Sequence, residues 1–200
     1  MLPLLLNKII QTDKLLFLHL VTQKNRIYTF LNPVSYLIAL ENKSLFEQFD
    51  GIFADGSLLV SAIRLVYGKR VTRRSFDMTS LAPELLNYLM ESRKTLYIVA
   101  SGQEQVECSV RIFQEQYPEL RIAGFRNGYF SSDAEMNKEA SHIVELNPDF
   151  LIVGMGALMQ EKFLLKVKKM GYQGIGFTCG GFVHQTAMNR MHYYPNWLIR

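Results

Sequence analysis

Asp55 stands in Ala54-Asp55-Gly56, after a short apolar run at residues 51–54 and before a strongly apolar stretch. A carboxylate at a strand end can take a proton from an attacking hydroxyl, and the same residue type caps helices. The two roles are compatible, since one oxygen can cap while the other faces a cleft. Residues 149–163, DFLIVGMGALMQEKF, join an apolar run to a turn at Gly154-Met155-Gly156 and a helix start carrying Gln160 and Glu161. Strand, glycine turn and helix start turn backbone N–H groups toward a phosphate; the same turn also serves simply to pack a helix on a sheet. Gly180-Gly181 makes a second turn, and together the four glycines would let two loops approach a diphosphate. The Gln160 amide both donates and accepts, which suits a base or a sugar. Glu161 fits either a ligand role or a carboxylate favoured by a helix N-terminus. Arg73 and Arg74, in the basic segment KRVTRRSF, are placed to neutralise a leaving diphosphate. Asp77 would orient one of them or cap the next helix. His184 reads as a buried, satisfied histidine, with a second base as the functional alternative; His19 and His142 read as structural.

The bulk properties narrow the classes. Two hundred residues with 48% hydrophobic and 20% charged content make one folded domain over residues 1–200. A net charge of +4 and a pI near 9.0 suit an anionic ligand or acidic membrane surface and are too mild for nucleic acid. Cys108 and Cys179 lack metal or redox spacing and read as reduced cytosolic thiols. There is no D-x-D pair and no His/Cys cluster, so no metal site and no cofactor are expected. The start, MLPLLLNKII, lacks a basic leader and cleavage site. No run reaches the roughly 18–20 apolar residues that span a bilayer.

These residues need elements to hold them. Residues 15–20 and 26–31 are β-rich and flank Thr22-Gln23-Lys24-Asn25, which predicts an N-terminal β-hairpin. Asn32-Pro33 ends the second strand and opens a short helix. Residues 51–54 predict a strand; residues 57–67, apolar on nearly every face, predict a buried helix closed by Gly68. Residues 78–90 predict a helix with Pro83 in its first turn. Strands at 95–100, 120–125, 150–153 and 174–178 then alternate with helices, one of them capped by Ser132 and Glu135. Such alternation predicts an α/β, Rossmann-like, mostly parallel sheet covered on both faces, with ligands at the carboxyl ends of the strands. That rule gathers Asn32, Asp55, the loop 126–130, residues 154–160 and residues 180–184 along one rim.

Taken in order, ADG at 54–56, NGYF at 127–130, GMGALMQE at 154–161 and CGGF at 179–182 resemble the WecG/TagA/CpsF family of bacterial glycosyltransferases, over about residues 27–200. The resemblance implies a metal-free, inverting enzyme that takes a UDP-sugar (N-acetylmannosamine, glucose or a related hexose) and extends a polyprenyl-diphosphate-linked sugar at the inner membrane face. Products of that kind feed wall polymers or surface polysaccharides. It implies Asp55 as base, Asn32 near the donor sugar, Gln160 and Glu161 as the family's QE pair, and Arg73 or Arg74 as the arginine ahead of Asp77. The spacing there is one residue short, and self-association is left open.

Departures mark a subgroup with FLNPxSY, SFDMTS and CGGFxHQT. Phe30 replaces a threonine, Leu158 replaces the proline of the QE motif, and Val183-His184 replaces Asp-Phe. The run 193–197 stands where RAPxW would be. The family's basic tail is not reached by Arg200, so a short or missing C-terminal appendage is expected. Two other readings stand beside this one: a nicotinamide-dinucleotide oxidoreductase, which lacks the G-x-G-x-x-G fingerprint, and a non-catalytic binder of nucleotide sugars.

Overall fold

A computed structural model of the chain describes residues 7–10 and 19–189. Its strands are β1 (Arg26–Leu31), β2 (Gly51–Ala54), β3 (Thr95–Ala100), β4 (Arg121–Arg126), β5 (Phe150–Gly154) and β6 (Ile175–Thr178). They form one all-parallel sheet in the order β2-β1-β6-β5-β3-β4. The interior strands β3 and β5 are buried almost throughout, as strands covered on both faces must be, whereas the edge strand β4 alternates.

Among the described residues one face is covered by α4 (Leu81–Glu91), α5 (Gln103–Gln116) and α8 (Phe182–Asn189). The other face carries α1 (Pro33–Glu41), α2 (Lys43–Phe46), α3 (Ser57–Tyr67), α6 (Asp133–Leu146) and α7 (Met159–Lys169). Side-chain alternation does the sorting: Tyr28 and Phe30 enter the first layer, Ile27 and Leu31 the second. Phe30 stacks on Phe53 at 4.8 Å, meets Phe76 edge-on at 5.6 Å, and Phe76 meets Phe182 at 5.2 Å. Phe30 thus serves an aromatic floor under the carboxyl ends.

Local chemistry explains the helix boundaries. The Asn32 side chain accepts from Val34 N and Ser35 N at 3.0 and 2.9 Å, which fixes the start of α1. Gly68 closes α3 at φ +64°, with its N–H on the Arg64 carbonyl. Pro83 is the third residue of α4, where its missing N–H costs nothing. Ser132 caps α6 by accepting from Glu135 N, but the Glu135 carboxylate takes Ser131 N instead of returning to Ser132, so half of the expected box forms.

Two expectations are corrected. The hairpin does not form: His19 and Leu20 are helical, and β1 has parallel partners, β2 and β6, on both edges. Residues 15–18 lie outside the described residues, as does the run 193–197. Helix α3 is not buried; Leu59 and Ile63 face the core, while Leu58, Leu65 and Val66 are 70, 87 and 64% exposed.

Candidate active site at the carboxyl ends of the strands

Register aligns the strand ends, pairing Leu31 with Ala54, Ala100 with Gly154 and Val153 with Thr178. The loops that leave these ends enclose a cleft of about 950 Å³, the size of a site for a drug-sized ligand. Asn32, Asp55, Arg73, Asp77, Gly154, Gly156, Gln160, Gly180, Gly181 and His184 all line it. The strand-end rule therefore leads to this cleft, and two of the residues expected there fall outside it: Arg74 and Glu161.

Asp55 is a perturbed carboxyl group in the cleft. Its N–H is bound to Leu31 O at 2.8 Å, which finishes the β1–β2 ladder and leaves the side chain beyond it. It does not cap α3, because the N-cap is Gly56, at φ +87° and without a side-chain bond. Among the described residues no hydrogen bond reaches the Asp55 carboxyl. Burial, reinforced by the Asp77 carboxylate and opposed by the Arg73 guanidinium, pushes its pKa up to about 6. A carboxylate with a free oxygen and a pKa near neutrality is suited to accept a proton.

Arg73 and Arg74 part company. The segment carrying them runs along the end of β2, with Arg74 N on Ala54 O at 2.9 Å and Arg73 paired with Ala54, the residue before Asp55. Arg73 lines the cleft, donates to Ser75 Oγ at 3.2 Å and lies 3.8 Å from Asp77. Arg74 is 9% exposed and pairs with Glu84 at 3.0 Å. Asp77 thus orients Arg73 and also accepts from Thr79 N and Oγ1 at 2.8 and 2.6 Å, pinning the turn into α4.

Glu161 lies beneath the cleft instead of in it. It is fully buried, with Oε1 accepting from Thr29 Oγ1 at 2.8 Å and Gln160 Nε2 at 2.9 Å, and Oε2 accepting from Leu158 N at 2.7 Å. Thr29 Oγ1 also meets Thr178 Oγ1 at 2.9 Å, so α7 is tied to β1 and β6. Burial raises the Glu161 pKa, opposed by these hydrogen bonds. Gln160, 4% exposed, completes the network: its Oε1 accepts from Gly180 N at 3.1 Å. The QE pair therefore fixes both glycine turns, with one face of Gln160 still lining the cleft.

That leaves Met155, Gly156 and Ala157 as cleft-lining residues whose N–H groups have no acceptor among the described residues. Gly154 is required for packing, since a Cβ there would sit 2.6 Å from Gly180 O and 2.7 Å from Cys179 Sγ. Leu158 adopts φ +72° and donates its N–H to Glu161. Proline, with φ near −65° and no N–H, cannot occupy that conformation, so this loop differs from a proline-bearing one. Burial pushes the Cys179 thiol up to about 12, which makes it an inert packing group.

His184 is exposed at the rim, not buried. Across the cleft, Arg126 stacks 4.0 Å over Phe130 and pairs with Glu135 at 3.2 Å, which holds Gly128, Tyr129 and Phe130 against the opening. Ser101, Met136 and Gln185 also line it. Ser101 follows β3, so the strand-end rule was signal enough for it; Met136 and Gln185, on helices, carry no such signal. No trio of His, Cys, Asp or Glu gathers as a metal-ligand set among the described residues.

Comparison with known proteins places the chain in a family. Residues 10–200 match the family described as glycosyl transferase WecG/TagA/CpsF. A UDP-Gal:alpha-D-GlcNAc-diphosphoundecaprenol beta-1,4-galactosyltransferase of Shigella boydii is 33% identical over 174 residues, 87% of this chain and 72% of that protein. An N-acetylglucosaminyldiphosphoundecaprenol N-acetyl-beta-D-mannosaminyltransferase of Bacillus subtilis (strain 168) is 24% identical over 187 residues, 91% of this chain and 70% of that protein.

Proposed function

The chain belongs to the WecG/TagA/CpsF family of glycosyl transferases, and from that membership and the cleft we propose that it transfers galactose from UDP-galactose to N-acetylglucosamine carried on a polyprenyl diphosphate. Galactose is preferred to N-acetylmannosamine because the galactosyltransferase relative is 33% identical and the mannosaminyltransferase 24%. The observation that carries the chemistry is Asp55, which lines the cleft, takes no side-chain hydrogen bond among the described residues and has its pKa raised to about 6.

The acceptor hydroxyl attacks the anomeric carbon from the face opposite UDP. The new C–O bond forms as the bond to the β-phosphate oxygen breaks, its electron pair leaves with UDP, and the hydroxyl proton passes to Asp55. One displacement inverts the anomeric centre, which takes an α-linked donor to a β-linked product. Arg73 and the N–H groups of residues 155–157 stabilise the departing diphosphate without a metal ion. Preorganised donors of this kind are each worth about 10²–10³ in rate. The nicotinamide reading finds no fingerprint after β1, where Leu31 runs straight into Asn32-Pro33.

Among the described residues no helix is long and apolar enough to cross a membrane. The enzyme works peripherally at the inner face, where UDP-sugar and lipid-linked acceptor meet. The test is transfer of labelled sugar to a short-chain prenyl-diphosphate N-acetylglucosamine. UDP-galactose should be consumed and the product should be β-linked; use of UDP-N-acetylmannosamine alone would refute the choice of sugar, and an α-linked product would refute the single displacement. In the same assay Arg73→Ala should lower kcat/KM by about 10²-fold with the fold intact. Arg74→Ala should instead cost about 1–3 kcal/mol of stability, because it removes a charged partner of half-buried Glu84.

A further inference from the structure

We propose that helix α3 docks the protein on an anionic membrane surface through its outward apolar stripe, which presents the cleft to lipid-linked acceptor. The inference deepens the transferase reading and rests on it.

Leu58 and Leu65, 70 and 87% exposed, lie seven residues apart on the side of α3 turned away from buried Leu59 and Ile63, and Val66, 64% exposed, stands at the C-terminal end of the same helix. On α1, packed over the same core cluster, Val34 and Leu37 are 68 and 62% exposed. An amphipathic helix needs one apolar face; α3 has two, and the fold uses only one of them. Charge selects the occupant. Residues 57–76 contain five Arg or Lys and no Asp or Glu, and exposed Arg64 and Lys69 flank the bare stripe. Apolar side chains beside Lys and Arg are the composition of a helix that lies in an anionic lipid interface. A second copy of this face would oppose cation to cation, which disfavours self-pairing.

Position supports the same occupant. Gly56, the residue before α3, lines the cleft next to Asp55. Eleven residues of helix span about 16 Å, so a docked α3 holds Asp55 within that distance of the headgroups.

Co-sedimentation of the full chain with phosphatidylglycerol-containing and pure phosphatidylcholine vesicles tests this. The protein should bind the former and not the latter. Leu65→Ser/Val66→Ser should weaken binding about tenfold or more, and Lys69→Glu should weaken it about fivefold or more in a salt-dependent way. Transfer to a water-soluble acceptor should be unchanged in all variants, which separates docking from catalysis; loss there in the parent protein would be failure of the transferase reading. Binding that survives Leu65→Ser/Val66→Ser, no binding to either vesicle, or a switch from dimer to monomer in that variant with vesicle binding intact would each overturn the proposal.

Discussion

Asp55→Asn should lower kcat by about 10²–10⁴, the worth of a positioned general base, and should make the protein more stable near pH 8. The two effects have one cause. Burial and Asp77 hold the native Asp55 carboxyl at about 6, above its ordinary 3.8. A raised acid binds its proton more tightly in the folded state, so its destabilising effect is absent below about pH 4, grows through the window to pH 6 and is complete above it. With a discount for its partial exposure, ionised Asp55 costs about 2 kcal/mol. Asparagine keeps the shape and removes the charge, so the melting temperature should rise at pH 8 and match the parent at pH 4. UDP affinity should stay within a few-fold. A variant that loses activity and stability together would assign Asp55 to the fold.

Glu161→Ala should cost about 3–5 kcal/mol, the largest stability loss expected from any residue of the QE motif. It removes the acceptor for Thr29 Oγ1, Gln160 Nε2 and Leu158 N at once, in a site with no solvent access. The Leu158 position compounds the loss, since a non-glycine residue at φ +72° is held there by that bond. Urea denaturation reads the change directly. If Glu161→Ala unfolds at the parent's midpoint and only transfer is lost, the carboxylate belongs to substrate chemistry and the buried network is not what fixes the glycine turns.

The contrast between Asp55 and Glu161 shows how far the sequence could be read. Period, glycine turns and strand ends located the cleft, because in a parallel sheet every strand delivers its C-terminus to the same edge. Partners distant in sequence were invisible. Glu161 takes its role from Thr29, 132 positions away, and β1 finds β6 across a similar gap, 149 positions from Thr29 to Thr178. A local β-rich neighbour therefore suggested a hairpin where the sheet has none. Arg73 and Arg74 were inseparable because successive residues of an extended segment point oppositely, and the partner that draws Arg74 away from the cleft, Glu84, lies ten positions on. Helix α3 read as buried because a composition apolar on nearly every face does not say which face the fold will leave bare. His184 read as buried for the same reason, with apolar Phe182 and Val183 just before it.

The central claim is that Asp55 accepts the acceptor's proton in the cleft. The dependence of kcat/KM on pH for sugar transfer, followed from about pH 4.5 to 8.5, tests it most directly. The predicted profile rises with pH through a single limb near 6, set by ionisation of Asp55 in the free enzyme. The residual activity of Asp55→Asn should lack that limb. A profile that is flat across pH 6, or one that keeps the same limb in Asp55→Asn, would contradict the account and move the base elsewhere in the cleft.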